Sequence, residues 1–495
     1  MLKHAAALVM LALLSLIAAV ALRTAMLGPL QHTQPAQPAE PGIETTTAVE
    51  RLAEALRYPT VSPDATEQWQ APPFEAFRHF LTRAWPAVHQ ELESRLISGH
   101  SLLYTWQGSD PERKPLLLMA HYDVVPIEKN SEDDWTHPPF SGEVADGYIW
   151  GRGTLDNKSG VTGLLEAVSL LLEEDFTPRR TVLLAFGHDE EVGGFNGARR
   201  IAETLQEQDI ELAAVIDEGG LIMPDSGLIK APVALIGTAE KGYLSLRLSV
   251  EGSGGHSSQP PELTAAGRLA RAIDRIQSAP FPARLEAPTR DMLRHTARDA
   301  AWLQSMAVAN EWLFRPLLLR TLAEDPATNA MIRTTIAPTM LRGSDKDNVL
   351  PLRAEGVINF RLLPGDTRED VVRHVRNAVD DPEVTITELG TFGTDPSEVS
   401  PVDDPVFRAL AATIRQMHPD TVVAPYLVVG ATDSRHFQAL TPRLYRFMPF
   451  MVPAQDISGI HGTNERIAID SYLDGIRLYR QLIINMTGEE LPKTN

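Results

Sequence analysis

The amino-acid sequence predicts an α/β protein in which a larger domain is interrupted by a smaller α+β domain. Three patterns support this prediction. Short apolar runs alternate with amphipathic segments in the first half, a strand with alternating polar and apolar residues begins near residue 241, and apolar strand patterns return towards the C-terminus. A chain of 495 residues, 43% of them hydrophobic, can form more than one core.

The first 22 residues have the character of a targeting segment. Lys3 precedes an apolar stretch at 5–22 that is long enough to span a bilayer. Its uninterrupted length favours a retained membrane anchor, whereas Ala19-Val20-Ala21 resembles the cleavage site of a secreted protein. Both alternatives predict export. Residues 31–42 are rich in Pro, Gln and Ala, so we expect 1–43 to be a targeting segment plus a linker.

Residues 44–236 are predicted to form the first part of the larger domain. Strands are predicted at 116–119, 181–186 and 213–216, and a helix at 161–172. Polar or acidic residues follow each strand. Open α/β sheets place their functional sites at the carboxyl ends of the strands, so we expect the chemistry of this protein there.

The pattern changes near residue 237, which we take as the start of the inserted α+β domain. Apolar and polar residues alternate with period two at 244–250, as expected for a sheet with one packed and one solvent-facing side. Residues 357–362 are the predicted partner strand. The inserted domain is expected to occupy 237–388, and the larger domain is expected to resume over 389–495.

A helical insert is predicted between these two strands, at 280–340. It carries several large apolar residues, which we expect to pack in a core; the alternative is a groove for an acyl chain. These residues are Trp302, Leu303, Trp312, Leu313, Phe314, Leu317 and Leu318.

Charge and composition exclude several classes of function. The formal net charge is -20 and no basic run occurs, so a nucleic-acid partner is not expected. The chain has no cysteine, which excludes thiol nucleophiles, cysteine-ligated zinc and disulfides. A serine hydrolase of the Gly-x-Ser-x-Gly type and a zinc protease of the His-Glu-x-x-His type are also excluded, because neither motif is present. Any metal must therefore bind to histidine and carboxylate side chains.

Several predicted strand ends carry such side chains. His121 follows the first buried strand, and Asp123, two residues later on the same side, is placed to orient its imidazole. Asp156 lies in a glycine-rich loop, and its two oxygens can bridge two cations. Taken singly, each motif is more typical of a structural turn or of solvated acidic residues.

Further carboxylates follow the later strands. We expect Glu190 to act as a general base and Glu191 as a metal ligand, since neighbouring carboxylates can divide these roles. Asp217-Glu218 repeats the acidic pattern, and His461 lies in a late loop. Two histidines and several carboxylates together form a ligand set that zinc accepts without sulfur.

These segments, in this order, resemble the M20 metallopeptidase family, most closely its carboxypeptidase S and N-fatty-acyl-amino-acid hydrolase branch. The resemblance extends from Thr46 onward. It implies an α/β zinc-hydrolase catalytic domain with an inserted α+β lid domain and two zinc ions per subunit, although another divalent metal could take their place. Asp156 is expected to bridge the ions. One ion would bind His121 and an acid of the 217–218 pair, with Asp217 favoured over Glu218, and the other would bind Glu191 and His461.

The resemblance also implies roles in proton transfer and substrate binding. Glu190 is expected to take a proton from water and pass it to the leaving amine. His256 of the lid is expected to stabilise the oxyanion, and the resemblance allows a homodimer through this domain; the alternative is an ordinary turn histidine. Asn348, Arg361 and Arg435 fall on positions associated with substrate contacts. Arginine binds planar carboxylates through paired hydrogen bonds, but surface ion pairs are the alternative for both arginines.

The expected function is zinc-dependent hydrolysis of the amide bond next to a free carboxylate in peptides, as in a carboxypeptidase. The first alternative is an N-acyl (fatty-acyl) amino acid hydrolase or synthase. A metal-free binding protein with the same fold is an alternative of another class, but it would be expected to have lost ligand or base positions.

Overall fold

The structure is a computed structural model that describes residues 2–27, 42–62, 69–225, 227, 229–390 and 393–488. Helix α1 (Leu2–Ala25) stands at the N-terminus. Its segment Lys3–Ala25 has a mean hydropathy of 2.7 and is not buried by the protein, so it is long and apolar enough to cross a membrane or to serve as a signal sequence. The predicted linker at 31–42 lies outside the described residues except for Gly42.

The first part of the larger domain alternates helices and strands. Its elements are α2 (Thr45–Leu56), α3 (Ala71–Ala84), α4 (Pro86–Glu91), β1 (Glu93–Ile97), β2 (Ser101–Trp106), β3 (Leu116–His121), β4 (Glu143–Ala145), β5 (Tyr148–Trp150), α5 (Ser159–Glu173), β6 (Val182–Gly187), α6 (Ala198–Glu207), β7 (Ala214–Asp217), β8 (Ile222–Met223) and β9 (Val233–Glu240).

The segment predicted as the inserted domain contains the next strands and helices. They are β10 (Gly242–Glu251), β11 (Gly255–His256), α7 (Ala265–Gln277), α8 (Ala287–Thr296), α9 (Trp302–Ala309), α10 (Glu311–Leu322), α11 (Pro326–Ala330), β12 (Thr335–Arg342), β13 (Val349–Leu350), β14 (Arg353–Leu362), α12 (Arg368–Val379) and β15 (Thr385–Glu388).

The last part of the chain returns to the larger domain. Its elements are α13 (Pro405–Met417), β16 (Val422–Val428), β17 (Leu444–Arg446), α14 (Ala454–Ile457), β18 (Arg466–Ala468) and α15 (Ile469–Thr487).

The mixed α/β fold class is confirmed by this architecture. The main sheet has the strand order β1-β2-β6-β3-β7-β17-β9-β16, and β8 pairs with β9 at its side. Strands β3, β6, β7 and β17 run parallel, so their carboxyl ends meet at one edge. All residues of β3, β6 and β7 are buried, because α5, α13 and α15 cover one face of the sheet and α6 covers the other.

The inserted domain has its own four-stranded sheet, of order β12-β14-β10-β15. The apolar residues of the period-two pattern in β10 pack against α7 and α12 in a separate core. The chain passes from the main sheet to the four-stranded sheet at Lys241, because β9 pairs with β16 as far as Glu240 and β10 begins at Gly242.

The prediction that the helical insert packs its large apolar residues in a core is wrong for most of them. Trp302 and Leu303 of α9 are each 65% exposed, and Trp312 and Leu317 of α10 are 57% and 55% exposed. The physical reason is that α9 turns its small residues Ser305 and Ala307 towards the protein, while α10 has no buried residue.

Candidate metal centre

The site forms where the parallel strands of the main sheet end. His121 is the last residue of β3, Glu190 and Glu191 follow β6, and Glu218 follows β7. Because β6, β3 and β7 are neighbours in the sheet, residues far apart in sequence meet at this edge. The loop at 154–158 and the loop that holds His461 complete the site.

Two groups of potential metal ligands share Asp156. In the first group, His121 Nε2 lies 2.8 Å from Asp156 Oδ1 and 3.2 Å from Glu218 Oε1. In the second, His461 Nε2 lies 3.1 Å from Asp156 Oδ2 and 3.2 Å from Glu191 Oε2. Within each group the ligand atoms lie within 4.8 Å of one another. The two oxygens of Asp156 therefore face different groups, which is the arrangement needed to bridge two cations.

Asp123 supports both His121 and the loop after β6. The Nδ1 atom of His121 is 3.0 Å from the Asp123 carbonyl oxygen and 3.3 Å from Asp123 Oδ1. The carboxylate also accepts hydrogen bonds from the backbone N–H groups of Glu190 and Glu191, both at 3.1 Å, and from the Ser62 hydroxyl at 2.6 Å. Burial would raise the pKa of Asp123, but hydrogen bonds from His121, Ser62 and Glu191 outweigh it and lower the pKa. Asp123 is therefore a charged positioning residue.

The structure places Glu218, rather than the favoured Asp217, beside His121. Asp217 is the last residue of β7, and its Oδ2 accepts a hydrogen bond from the Ser434 N–H at 2.7 Å. Glu218, one residue later, faces His121. Successive residues of an extended segment point in opposite directions, so only one of the two can face this group of ligands. Asp217 instead ties β7 to the 432–435 turn.

Glu465 is a buried residue of the site whose role the sequence did not indicate. Its carboxylate accepts hydrogen bonds from the backbone N–H groups of Gly153, Leu155 and Asp156, at 2.9, 2.7 and 3.1 Å. Arg152 donates to it at 2.7 Å. Because one side chain binds so much of the loop, Glu465 fixes the backbone from which Asp156 projects. Its position four residues after His461 was the available signal, but spacing alone does not identify this contact.

The crowded carboxylates of the site favour the binding of cations. Burial, followed by the charge of Asp156, raises the pKa of Glu191 to about 7, and burial raises the pKa of Glu218 to about 8. Hydrogen bonds to Asp156 and Glu191 raise the pKa of His461 to about 10. Burial also opposes ionisation of Asp156, but hydrogen bonds from His121 and His461 hold its pKa well below the ordinary value. Crowded buried carboxylates of this kind are stabilised by divalent cations.

Two local observations also favour a bound cation. Glu191 Oε1 is buried and has no hydrogen-bond partner among the described residues. The Nδ1 atom of His121 faces two oxygens of Asp123, so the ring is held with Nε2 directed at the carboxylates of Asp156 and Glu218. A cation bound there would take the place of the proton that Nε2 shares with these carboxylates. The residues present therefore fit a metal.

Glu190 lies beside both ligand groups but belongs to neither. Burial raises the pKa of Glu190 well above its ordinary value. The turn after it approaches the 432–435 turn closely: Gly194 has φ +66°, and a Cβ atom there would lie 1.9 Å from Asp433 Oδ1. A side chain at this position would therefore displace the loop that holds Glu190.

A cavity of about 320 Å³ opens beside these carboxylates. Asp156, Glu190, Glu191, Glu218 and His461 lie along its polar part. The rest of its wall is largely apolar and includes Leu221, Met223, Leu235, Tyr426, Val428, Met448, Ile457 and Ile460. No local sequence pattern marks this wall, because its residues come from distant segments.

The four predicted substrate-contact or oxyanion residues fall into two places. His256 and Asn348 lie together in the inserted domain, where β11 pairs with β13, and His256 is exposed. Neither lines the cavity described above. Arg361 of β14 stacks 4.7 Å from the ring of Tyr243, and Arg435 donates to the Gly193 carbonyl at 2.9 Å. Burial, then repulsion by Arg435, lowers the pKa of Arg361, partly offset by Tyr243. The charge of Arg435 thus acts on Arg361, and neither arginine lines the cavity described above.

Comparisons with known proteins find relatives that match most of this chain. Residues 117–485 match the model of peptidase family M20/M25/M40. The chain is 39% identical to probable carboxypeptidase S-like 2 of Dictyostelium discoideum, covering 88% of this chain and 84% of the relative. It is 40% identical to N-fatty-acyl-amino acid synthase/hydrolase PM20D1 of Xenopus tropicalis, and the match covers 91% of this chain and 88% of that relative.

Solved structures show the same fold. The M20 metallo-carboxypeptidase of Sulfolobus solfataricus superposes with a TM-score of 0.65 at 19% identity, covering 88% of this chain and 98% of that one. Human carnosine dipeptidase 1 gives a TM-score of 0.64 at 16% identity, and the match covers 90% of this chain and 96% of that one. With a family match over most of its length and relatives near 40% identity, the chain belongs to the M20/M25/M40 peptidase family.

Proposed function

We propose that this enzyme hydrolyses the amide bond next to a free carboxylate, as a carboxypeptidase-like hydrolase with two zinc ions per subunit. The observation that carries the proposal is the position of Asp156, whose two oxygens face separate ligand groups. His121 and Glu218 would hold one ion with Asp156, and Glu191 and His461 would hold the other. When bound, such ions polarise a scissile carbonyl and lower the pKa of a water molecule.

The remaining residues supply proton transfer and positioning. Glu190 lines the cavity outside both ligand groups, so its carboxylate is free to accept a proton from the attacking water and deliver it to the leaving amine. Asp123 holds His121 and the backbone of Glu190 in place. Arg361 and Arg435 provide positive charge for the substrate carboxylate. His256 is proposed to stabilise the oxyanion by closure of the lid or from a second subunit.

N-acyl amino acid hydrolysis, or the reverse condensation, is a second candidate that one observation favours. The cavity beside the carboxylates has a wall of Leu, Ile, Met and Val side chains, which would bury an acyl chain more readily than a polar peptide. The relative from Xenopus tropicalis bears the name of this activity. The same ligands and the same base would serve both substrates, because each contains an amide next to a carboxylate.

A single assay tests the proposal and separates the two substrate classes. We expect the full chain to hydrolyse a dipeptide or a long-chain N-acyl amino acid in the presence of zinc, and a chelator to abolish the activity. The same substrates with an amidated carboxyl group should be hydrolysed more slowly, because Arg361 and Arg435 would lose their charged partner. Absence of hydrolysis of both substrates by protein with full zinc content would contradict this proposal and indicate either a narrower substrate or a non-catalytic role.

Replacement of Glu465 should weaken the site without removing a ligand. In the Glu465→Gln variant, one oxygen is replaced by an N–H donor that faces the loop N–H groups, so the backbone that carries Asp156 should shift. We expect zinc affinity or hydrolysis to fall about 10- to 100-fold, as for other residues that support metal ligands. Zinc titration and steady-state kinetics check this result.

The matched control for this variant is Glu132→Gln, because Glu132 is exposed and lies outside both ligand groups. It should leave zinc affinity and hydrolysis unchanged. Wild-type zinc affinity and activity in the Glu465→Gln variant would contradict the positioning role of Glu465.

We further propose export, with α1 retained as a membrane anchor. Its length and hydropathy support this proposal. Cleavage after Ala21 would instead give a secreted enzyme, and the intact mass of the purified protein distinguishes the two products.

A further inference from the structure

Helices α9 and α10 expose a row of large apolar side chains. Trp302 and Leu303 of α9 and Trp312, Leu313 and Leu317 of α10 are exposed to between 38% and 65%. Exposed apolar patches that include two tryptophans are uncommon on soluble surfaces and mark sites of association. This row lies in the inserted domain and is separate from the cavity of the metal centre.

The row is continuous with the apolar N-terminal helix. The buried Asn310 side chain, between α9 and α10, donates hydrogen bonds to the Val20 carbonyl at 3.3 Å and to Thr24 Oγ1 at 3.2 Å. The guanidinium of Arg23 lies 5.9 Å from the ring of Trp312. These contacts fall in the last turns of α1, where its apolar stretch ends at Arg23. If α1 crosses a bilayer, α9 and α10 lie at the depth where hydrocarbon meets headgroups.

The residues around this contact have the chemistry of a membrane interface. Tryptophan is enriched at that depth, and arginine there contacts lipid phosphates. A cavity of about 750 Å³ beside Trp312 is lined by Arg23, Arg290 and Arg294, with Glu311 paired to the last two. Residues 290–322 carry five arginines against three acidic residues, whereas the whole chain has a net charge of -20.

We propose that α9 and α10 form a membrane-docking surface that seats its apolar side chains in the interface of an anionic phospholipid bilayer crossed by α1. The inserted domain would then be held against the membrane at a fixed orientation. The proposal rests on the retention of α1 as an anchor and does not depend on which substrate is hydrolysed.

The chain has no cysteine, so single cysteines can report the environment of chosen positions. Leu303→Cys and Leu317→Cys variants of the full chain would be labelled with an environment-sensitive fluorophore and reconstituted in vesicles of phosphatidylcholine and phosphatidylglycerol. Leu352→Cys is a matched control, because Leu352 is 69% exposed and lies outside α9 and α10. Intact mass would verify that α1 is present, and thermal unfolding would verify the fold of each variant.

We expect the emission at 303 and 317 to shift to shorter wavelength and to be quenched by lipids that carry a nitroxide near the headgroup. Emission at 352 should show neither change. Equal, weak quenching at all three positions would overturn the proposal. A blue shift at 303 and 317 without quenching by the lipid would also overturn it, because the surface would then be covered by a second copy of the chain.

Discussion

Replacement of Glu190 by glutamine should lower kcat by about 10²- to 10⁴-fold while zinc content stays unchanged. The glutamine side chain has the same size but cannot accept a proton at neutral pH. Since Glu190 belongs to neither ligand group, its replacement should leave both groups intact. Steady-state kinetics with either substrate, together with metal analysis of the same sample, checks the result.

Glu203→Gln on the exposed surface of α6 is the matched control, and it should retain full activity. A Glu190→Gln variant with unchanged kcat would show that another group transfers the proton. If this variant instead lost zinc, Glu190 would be a ligand, and the proposed division of roles between Glu190 and Glu191 would be wrong.

The Glu218→Ala variant is expected to bind one zinc ion fewer and to lose about 10²- to 10³-fold in activity. The carboxylate of Glu218 lies 3.2 Å from His121 Nε2, so its removal deprives one ligand group of a charged oxygen. Polarisation of a carbonyl by a metal contributes several kcal/mol, and each 1.4 kcal/mol corresponds to about tenfold in rate. Zinc stoichiometry and kcat/KM are the measurements.

Asp217→Asn provides the comparison, because it keeps an oxygen that can accept the Ser434 N–H. We expect this variant to retain its full zinc content. Any destabilisation should appear as a lower temperature of thermal unfolding. The opposite pattern, in which Asp217→Asn loses zinc and Glu218→Ala keeps it, would restore the original preference for Asp217.

Much of the fold was accessible from the sequence, because the relevant patterns are local. The apolar run of β3 and the helix α5 were predicted to within a few residues. Fully buried parallel strands require continuous apolar residues, and this constraint is visible without the structure. The family resemblance was likewise recognised from ordered motifs at strand ends, and the family is confirmed by the match over residues 117–485.

The helical insert shows where local pattern fails. Large apolar residues on a helix most often pack in a core, so the sequence alone favoured a core over a groove for an acyl chain. Whether α9 and α10 are covered depends on which elements approach them. In the structure, Asn310 contacts α1, which lies far away in sequence, and the apolar residues remain exposed.

The sequence by itself determined the set of chemical groups: two histidines, several carboxylates and no cysteine, placed at the ends of predicted strands. Only the tertiary structure decided which of two neighbouring acids faces His121 and which residue holds the Asp156 loop. Glu218 faces the site because Ser434, more than two hundred residues away, binds Asp217. Glu465 acts on a loop about 310 residues earlier. Contacts between such distant residues arise from the packing of the whole domain, so no local pattern specifies them.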